Sequence, residues 1–590
     1  MNKPLGVLVG IVVVAGALNT AGAWYTGSKI EGVLQTSIEQ TNQELAKQLQ
    51  GTTTHGTIEL VSIERNLYSS TAHYRLKIQD DKAGPDAKPV ELLFVDNIEH
   101  GPLPWSRIKT FKWMPVMAVS NYSLEKTPFT EKWFAATKDQ TPLKGQVTLG
   151  YDRSIDGHME LTALQTQLDE HSTLSFSGMT MQAQTDADGQ NLKAKGYMDH
   201  LKLNAITIEN PPVTVELNGL TLASDLKKTD FGFYLGQNVM ALSEGQLTYG
   251  VKQSVIKLKN FEYTDSASAN GNLMSGRLAY NVGDITLDGK PVGSAQMVLT
   301  ASSLDIPAMQ ALLQIYQNKF QPQADGTLPQ TPLTPAEQVQ MQLQVEKILA
   351  AKPQLALEKF TIKTANGESQ LNVVMGLAKP TSFEQPPVDV TKQMLTALDA
   401  KLLLSKPMIA DLSAVQAQLV GQTDPQAIAK MASMNSEMAG VMAVQTGLAK
   451  VDGNNILASL NYADGQVDLN GQKTIGLGSP NQLLQGLFAQ LDLILQHAQI
   501  VLQGRVVMVL GHFLEQHACV AVDLGNGRNG LVNNASPCLG LLASALGLPG
   551  SRSCIKGHFV HGRGHFFHGG GGFLRAAVLG VGTFCNLLEA

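Results

Sequence analysis

The sequence predicts a β-rich α+β protein: a single N-terminal transmembrane helix, then an elongated, mainly antiparallel sheet body with inserted helices. Three observations carry that expectation. Residues Pro4 to Tyr25 contain no charged side chain. From Thr57 onward apolar and polar residues alternate with a period of two, punctuated by Gly, Asn and Asp. Short stretches of helical periodicity, two of them opened by capping signals, interrupt that alternation.

The N-terminal run comes first. Leu5 to Val14 is apolar throughout, Lys3 precedes it, and Trp24 and Tyr25 follow it. About 20 apolar residues span a bilayer as a helix. Positive charge before the span keeps the N-terminus cytoplasmic, and aromatic residues suit the interface. Residues 1–26 therefore read as a signal anchor, with the rest of the chain exported. The competing reading is a signal peptide cleaved at Ala21-Gly22-Ala23, which is an A-x-A site. Ser28 to Gln50 then reads as a helix whose apolar stripe begins with Ile30, Val33 and Leu34.

The body, residues 27–480, is where the sheet is expected. Leu174, Phe176, Met179, Met181 and Ala183 alternate with polar residues. So do Val213, Val215 and Leu217, then Leu220 and Leu222, and so do Ile256 and Leu258, then Phe261 and Tyr263. Such alternation marks antiparallel strands with one wet face. Turns are expected at Asp186 to Gly189 and at Asn366-Gly367, the latter a strong hairpin signal. Leu278 to Gly289 and Leu460 to Gly471 share a pattern that reads as two strands with two Gly turns. It is either a duplicated unit or hairpins that converged on one composition.

Helices are expected at Asp305 to Phe320, after Thr334 and after Asp424, with a Pro-rich loop from Gln321 to Leu333. Thr334, Pro335 and Glu337 form a capping box with Pro in the first turn. The third helix carries Met431, Met434, Met438 and Met442, which read as core rather than as an adaptable surface.

Chemistry is hard to find. The chain of 590 residues has a formal net charge of −6, against the basic balance of a nucleic-acid binder. Cys is absent before Cys519, which excludes a thiol nucleophile or disulfides in the body. There is no phosphate-cradling Gly loop, no His-Glu-x-x-His helix and no Gly-x-Ser-x-Gly elbow. His100 stands alone and reads as a turn residue rather than a catalytic base. Trp24, Trp105, Trp113 and Trp133 all lie early and are expected to pack one local subregion. No catalytic, cofactor-binding or metal-ligating residue is assigned.

Residues 481–590 differ in composition. All four Cys lie there, along with half of the ten Arg and the run Gly569 to Gly572. Cys554, His558, His561, His565 and His568 have the residue types of a metal module but not its paired spacing. Leu539 to Leu548 and Val578 to Leu588 are apolar but too short to span. The joint change in Arg, Cys, His and Gly favours a frame-shifted or read-through extension over either alternative.

Several blocks in one order carry a resemblance. They are Gly22-Ala-Trp24-Tyr25 with Lys29-Ile-Glu31, His100-Gly-Pro102 with Pro104, Leu398-Asp-Ala-Lys401, and Tyr462 with Gly465-Gln466 and Leu469-Asn-Gly-Gln-Lys473. Together they resemble the YdgA-like family of uncharacterised Gram-negative envelope proteins. The resemblance implies an inner-membrane-anchored periplasmic protein that self-associates, and it supplies no catalytic residue. The expected function is therefore a non-catalytic envelope scaffold or binding protein with a lipid or protein ligand. An envelope hydrolase with a non-standard site is the alternative.

Overall fold

A computed structural model describes part of the stretch 35–46 and most of 54–474. The anchor at 1–26, the A-x-A site, the Pro-rich loop at 321–333 and the segment 481–590 with its Cys and His residues lie outside the described residues. Among the described residues no helix is long and apolar enough to cross a membrane.

Among the described residues, twenty-two strands join in one antiparallel sheet. The first ten are β1 (Thr54–Arg65), β2 (Ser69–Asp80), β3 (Val90–His100), β4 (Ala118–Leu124), β5 (Leu143–Leu149), β6 (Ile155–Leu161), β7 (Leu164–Gln167), β8 (Thr173–Phe176), β9 (Met179–Thr185) and β10 (Asn191–Ala205). The long central strands are β11 (Val213–Lys228), β12 (Tyr234–Tyr249), β13 (Ser254–Asn270), β14 (Leu273–Leu287) and β15 (Lys290–Asp305). The last are β16 (Gln354–Lys363), β17 (Glu368–Leu377), β18 (Leu395–Ser405), β19 (Lys450–Asp452), β20 (Asn455–Ala463), β21 (Gln466–Leu469) and β22 (Gln472–Thr474). Pairing follows the chain as a meander with two detours. β6 pairs β9, while β7 and β8 form an extra flap on β10. β18 pairs β20, with β19 and β21 along the far side of β20.

Alternation gives the sheet two unlike faces. One carries cross-strand ion pairs, the arrangement in which opposite charges support a sheet: Lys144–Glu160 at 3.3 Å, Lys202–Glu216 at 2.5 Å and Lys257–Glu244 at 2.8 Å. The other is apolar. In β10 to β14 the apolar phase slips by one residue at the same place, giving Met198/Leu201, Leu217/Leu220, Leu242/Gly245, Leu258/Phe261 and Val282/Ile285. The slipped residues stand abreast. Gly219 at φ +65° and Asn260 at φ +52° absorb the kink in their strands. One extra residue in each strand, set opposite the extra residue of its neighbour so that the register from β10 to β14 is kept, leaves the following apolar side chains on the same face. The sheet is thus creased across five strands without losing its apolar side.

Among the described residues the helices after Thr54 are α1 (Trp105–Lys109), α2 (Glu131–Ala136), α3 (Ile306–Lys319), α4 (Pro335–Ala350), α5 (Pro387–Met394), α6 (Lys406–Leu419) and α7 (Pro425–Gln445), and several of them cover parts of that face. Ile38 and Leu45 of the first helical stretch, with Trp133 and Phe134 of α2, join the core over β1 to β11. α3 and α4 cover one end of the later strands through Ile306, Met309, Ile348 and Leu349. Leu412, Val415 and Leu419 of α6 pack on the other end, over Ile256, Ile285 and Leu287. The capping box of α4 is present: Glu337 N donates to Thr334 Oγ1 and Thr334 N donates to Glu337 Oε2 at 2.8 Å. The outer edge of β1 is blunted by Asn42, whose amide donates to Ile58 O and accepts from Ile58 N. One side chain thus occupies the pairing positions that an edge strand would otherwise offer.

Four expectations need correction. Leu278 to Gly289 is not a hairpin: Gly283 lies inside the continuous β14, whereas Gly465 does turn β20 into β21. The two copies of the pattern therefore differ in structure. The Met stripe of α7 is not core. Ile428, Ala432, Ser436, Gly440 and Ala443 face inward, while Met434 and Met438 are exposed, because small residues let α7 approach α6 closely. The described Trp residues do not share one packed subregion, since Trp133 is buried while Trp105 and Trp113 lie exposed in one segment, and Trp24 is outside the described residues. His100 ends β3 instead of standing in a turn. The Asn366-Gly367 hairpin does form, though for a different reason. A Cβ on Gly367 would lie 2.2 Å from Ser405 Oγ and 2.5 Å from Met408 N, so glycine is required by close approach to α6.

Candidate functional site: an apolar lane across the sheet

The registers align one residue from each of β2 to β6, β9 to β18 and β20 into a row on the apolar face. It runs Ala72, Asp96, Tyr122, Gly145, Met159, Met181, Gly196 and Leu222 over the first part of the sheet. It continues through Met240, Tyr263, Tyr280, Met297, Phe360, Leu371, Leu402 and Ala458. The second part is the candidate site. All eight of its residues are half-buried, lying between the cover of α3 and α4 and that of α6. Leu278, Leu299, Leu357 and Val373 form a parallel half-buried row beside it. Seven inter-strand steps of about 4.8 Å make the lane roughly 34 Å long.

The lane is apolar but not featureless. The rings of Tyr263 and Tyr280 meet with centroids 5.1 Å apart and planes at 55°. Burial first, and the neighbouring Asp265 carboxylate second, push the Tyr280 phenol above its ordinary range. It stays protonated at neutral pH. Asp265 itself is buried at the lane's margin, opposite Asn238 and Leu278. Such a surface can hold a long apolar group by area alone, at about 0.8 kcal/mol for each methylene taken out of water.

Polar groups converge elsewhere, under the closed part of the row. Asp96 is 1% exposed and accepts from Ser120 Oγ at 2.8 Å. Burial pushes its carboxyl up to about 7, against the lowering effect of hydrogen bonds from Ser120 and the Asn121 backbone. Tyr74 and Tyr122 flank it, and both phenols are pushed up by burial and then by the Asp96 charge. Nearby, Ser70 Oγ lies 3.1 Å from His100 Nε2. A serine beside a histidine is the start of a nucleophilic constellation, but Ser70 is 0% exposed, so a substrate has no approach to it in this structure. No group of three His, Cys, Asp or Glu among the described residues is placed to hold a metal ion.

Sequence reasoning missed Asp96 and the lane's continuity. The first had a signal: Val90, Leu92, Phe94, Asp96 and Ile98 alternate in phase, so an acid occupies a core position. The second needed the cross-strand register.

Comparison with known proteins agrees with the resemblance. The chain is 26% identical over 486 residues to Protein YdgA of Escherichia coli K12, covering 80% of this chain and 95% of that protein. It is 23% identical over 488 residues to the uncharacterized protein YihF of the same organism, covering 79% and 95%. An uncharacterized protein of Haemophilus influenzae is 22% identical over 328 residues, covering 53% and 86%. No solved structure matches. The family described as "Bacterial protein of unknown function (DUF945)" matches residues 1–474, which stops short of the segment with the altered composition, and the chain belongs to that family.

Proposed function

We propose that this protein is a non-catalytic envelope protein, anchored in the inner membrane by residues 1–26, whose periplasmic body holds the acyl chain of a lipid along the lane. The observation that carries the reading is the half-open row Met240–Tyr263–Tyr280–Met297–Phe360–Leu371–Leu402, whose neighbours on either side are roofed by helices. The chemistry of the lane favours an acyl chain over a peptide. A peptide laid across these side chains would bring an N–H and a C=O with every residue and find few partners, at a cost of about 1–3 kcal/mol for each stranded group. An acyl chain brings none. The uncharged run Pro4 to Tyr25 after Lys3 supports the anchor.

A photo-crosslinking amino acid at Phe360 tests the ligand in intact cells. Lipid adducts are expected there and not at Lys359, which alternation points to the opposite face. Equal labelling at both positions, or protein adducts only, rejects the reading. A periplasmic reporter fused after residue 50 tests the topology, with activity expected outside the cytoplasm and membrane retention expected after carbonate washing.

A further inference from the structure

The connection between β3 and β4 has a property that neither the sheet nor the lane uses. Trp105 is 61% exposed, Phe111 79%, Trp113 60% and Met114 76%. Among the described residues, every exposed Trp and Phe lies in this one segment. None of α1 is buried, so these side chains are not the edge of a core.

The segment is nonetheless held in shape. Ser106 N donates to Glu99 Oε2 at 2.7 Å, Arg107 Nη2 donates to Met114 O at 3.0 Å, and Lys112 N donates to Arg107 O at 2.9 Å. Phe111 sits at φ +56°, a conformation costly for a bulky residue, and its ring meets Trp113 edge-on at 6.3 Å. Polar bonds thus hold the backbone in an arrangement that points apolar rings into solvent. Exposed apolar patches of this kind mark interaction sites.

The charges say what the partner is. Arg107, Lys109 and Lys112 are interleaved with the rings, and no Asp or Glu occurs from residue 100 to 124. Lys109 Nζ stands 5.4 Å from the Trp105 ring centre. Indole rings settle at the headgroup level of a bilayer. Basic residues beside them gain from anionic headgroups, about 1 kcal/mol each near the surface. Long basic side chains also reach to the interface while their stems lie on apolar surface. A protein partner would have to match four rings or thioethers and three cations in one small loop, whereas an anionic bilayer supplies both layers at once.

We propose that the loop from Trp105 to Met114 is a second membrane contact, which inserts its aromatic side chains at the headgroup level of a bilayer containing anionic phospholipid. The contact is independent of the lane and of what the lane holds.

Tryptophan fluorescence of the full chain tests this in vesicles of brominated phosphatidylethanolamine with phosphatidylglycerol, and in vesicles where phosphatidylcholine replaces the phosphatidylglycerol. The wild-type chain is expected to show bromolipid quenching that W105F/W113F loses in part, leaving only the share from Trp24 and Trp133. R107E/K109E/K112E is expected to lose the same share in the phosphatidylglycerol vesicles, and wild type to lose it when phosphatidylcholine is substituted. Unchanged far-UV circular dichroism confirms that each variant folds. Quenching identical in wild type and W105F/W113F overturns the proposal. So does quenching that ignores the charge reversal, and so does a loop that cross-links to a protein in cells while staying dark to bromolipid.

Discussion

The same row of side chains is closed over β2 to β11 and open over β12 to β20. In the first region Ala72 and Met159 are 0% exposed and Met181 is 5% exposed, in one core with Ile38, Leu45, Trp133 and Phe134. In the second, Met240 to Ala458 stay half-buried although their alternation is no weaker. Local pattern therefore sets which face is apolar, and cover decides whether that face is core or surface. The closed region can then tolerate an acid such as Asp96 only as a buried, hydrogen-bonded group, while the open region can accept something from outside.

Large-to-small substitution separates the regions most sharply. Met159→Ala should cost about 2–5 kcal/mol, because the surrounding strands cannot collapse onto the cavity. Met297→Ala, in the open lane, should cost roughly 1 kcal/mol or less while weakening capture of a fluorescent acyl probe. Denaturant midpoints of the two variants measure this. Equal costs would mean that the lane is covered and the comparison is false.

Asp96 gives the closed region a pH dependence of its own. Its folded value of about 7 lies above the ordinary 3.8, so the folded state holds the proton more tightly than the unfolded chain. That contribution is complete below pH 3.8 and is lost as pH rises through 7. The difference corresponds to about 4 kcal/mol at most. Asp96→Asn should flatten the fall in melting temperature between pH 5 and 8, as measured by thermal scans across about that range. A wild-type profile no steeper than that of the variant would remove the buried acid from the account.

The helical cover beside the open lane is tied down by polar contacts. Asp411 of α6 accepts from Thr364 Oγ1 at 2.6 Å, Asn366 N at 2.9 Å and Asn366 Nδ2 at 2.7 Å. Asp411→Ala should cost about 2 kcal/mol and raise hydrogen exchange in the turn between β16 and β17 and in α6. Protection that stays unchanged there would show that α6 is held by its apolar face alone.

Much of this was legible in the residues, and the failures are instructive. Period-two alternation identified the sheet, and the slip from Leu217 to Leu220 or from Leu258 to Phe261 already contained the crease. Thr334, Pro335 and Glu337 marked the start of α4 because a cap is a local interaction. What could not be read was anything that depends on a distant neighbour. Met434 and Met438 have helical spacing, but the choice between them and the small residues beside them is made by α6. Gly283 and Gly465 share a local pattern, yet only the second lacks a long partner strand on both sides, and it turns. The open lane is the extreme case, since it is defined by helices that do not reach it.

The smallest expected effect concerns the face that both regions share. Glu160 lies 3.3 Å from Lys144 on the outside of the closed region, and Glu244 lies 2.8 Å from Lys257 on the outside of the open one. The hydrogen bond from Lys257 lowers the Glu244 carboxyl below its usual range, with the charges of Lys257 and Lys259 adding to it. That support is present at neutral pH and is lost as pH falls. Both pairs are solvent-facing, so Glu160→Gln and Glu244→Gln should each cost about 0.2–1 kcal/mol and lose most of that difference in molar salt. The two costs should be alike, because cover on the inner face does not change the water on the outer one. A clearly larger cost at Glu244 would mean that something also lies against the outer face of the central strands, and the contrast between the regions would then extend through the sheet instead of stopping at its apolar side.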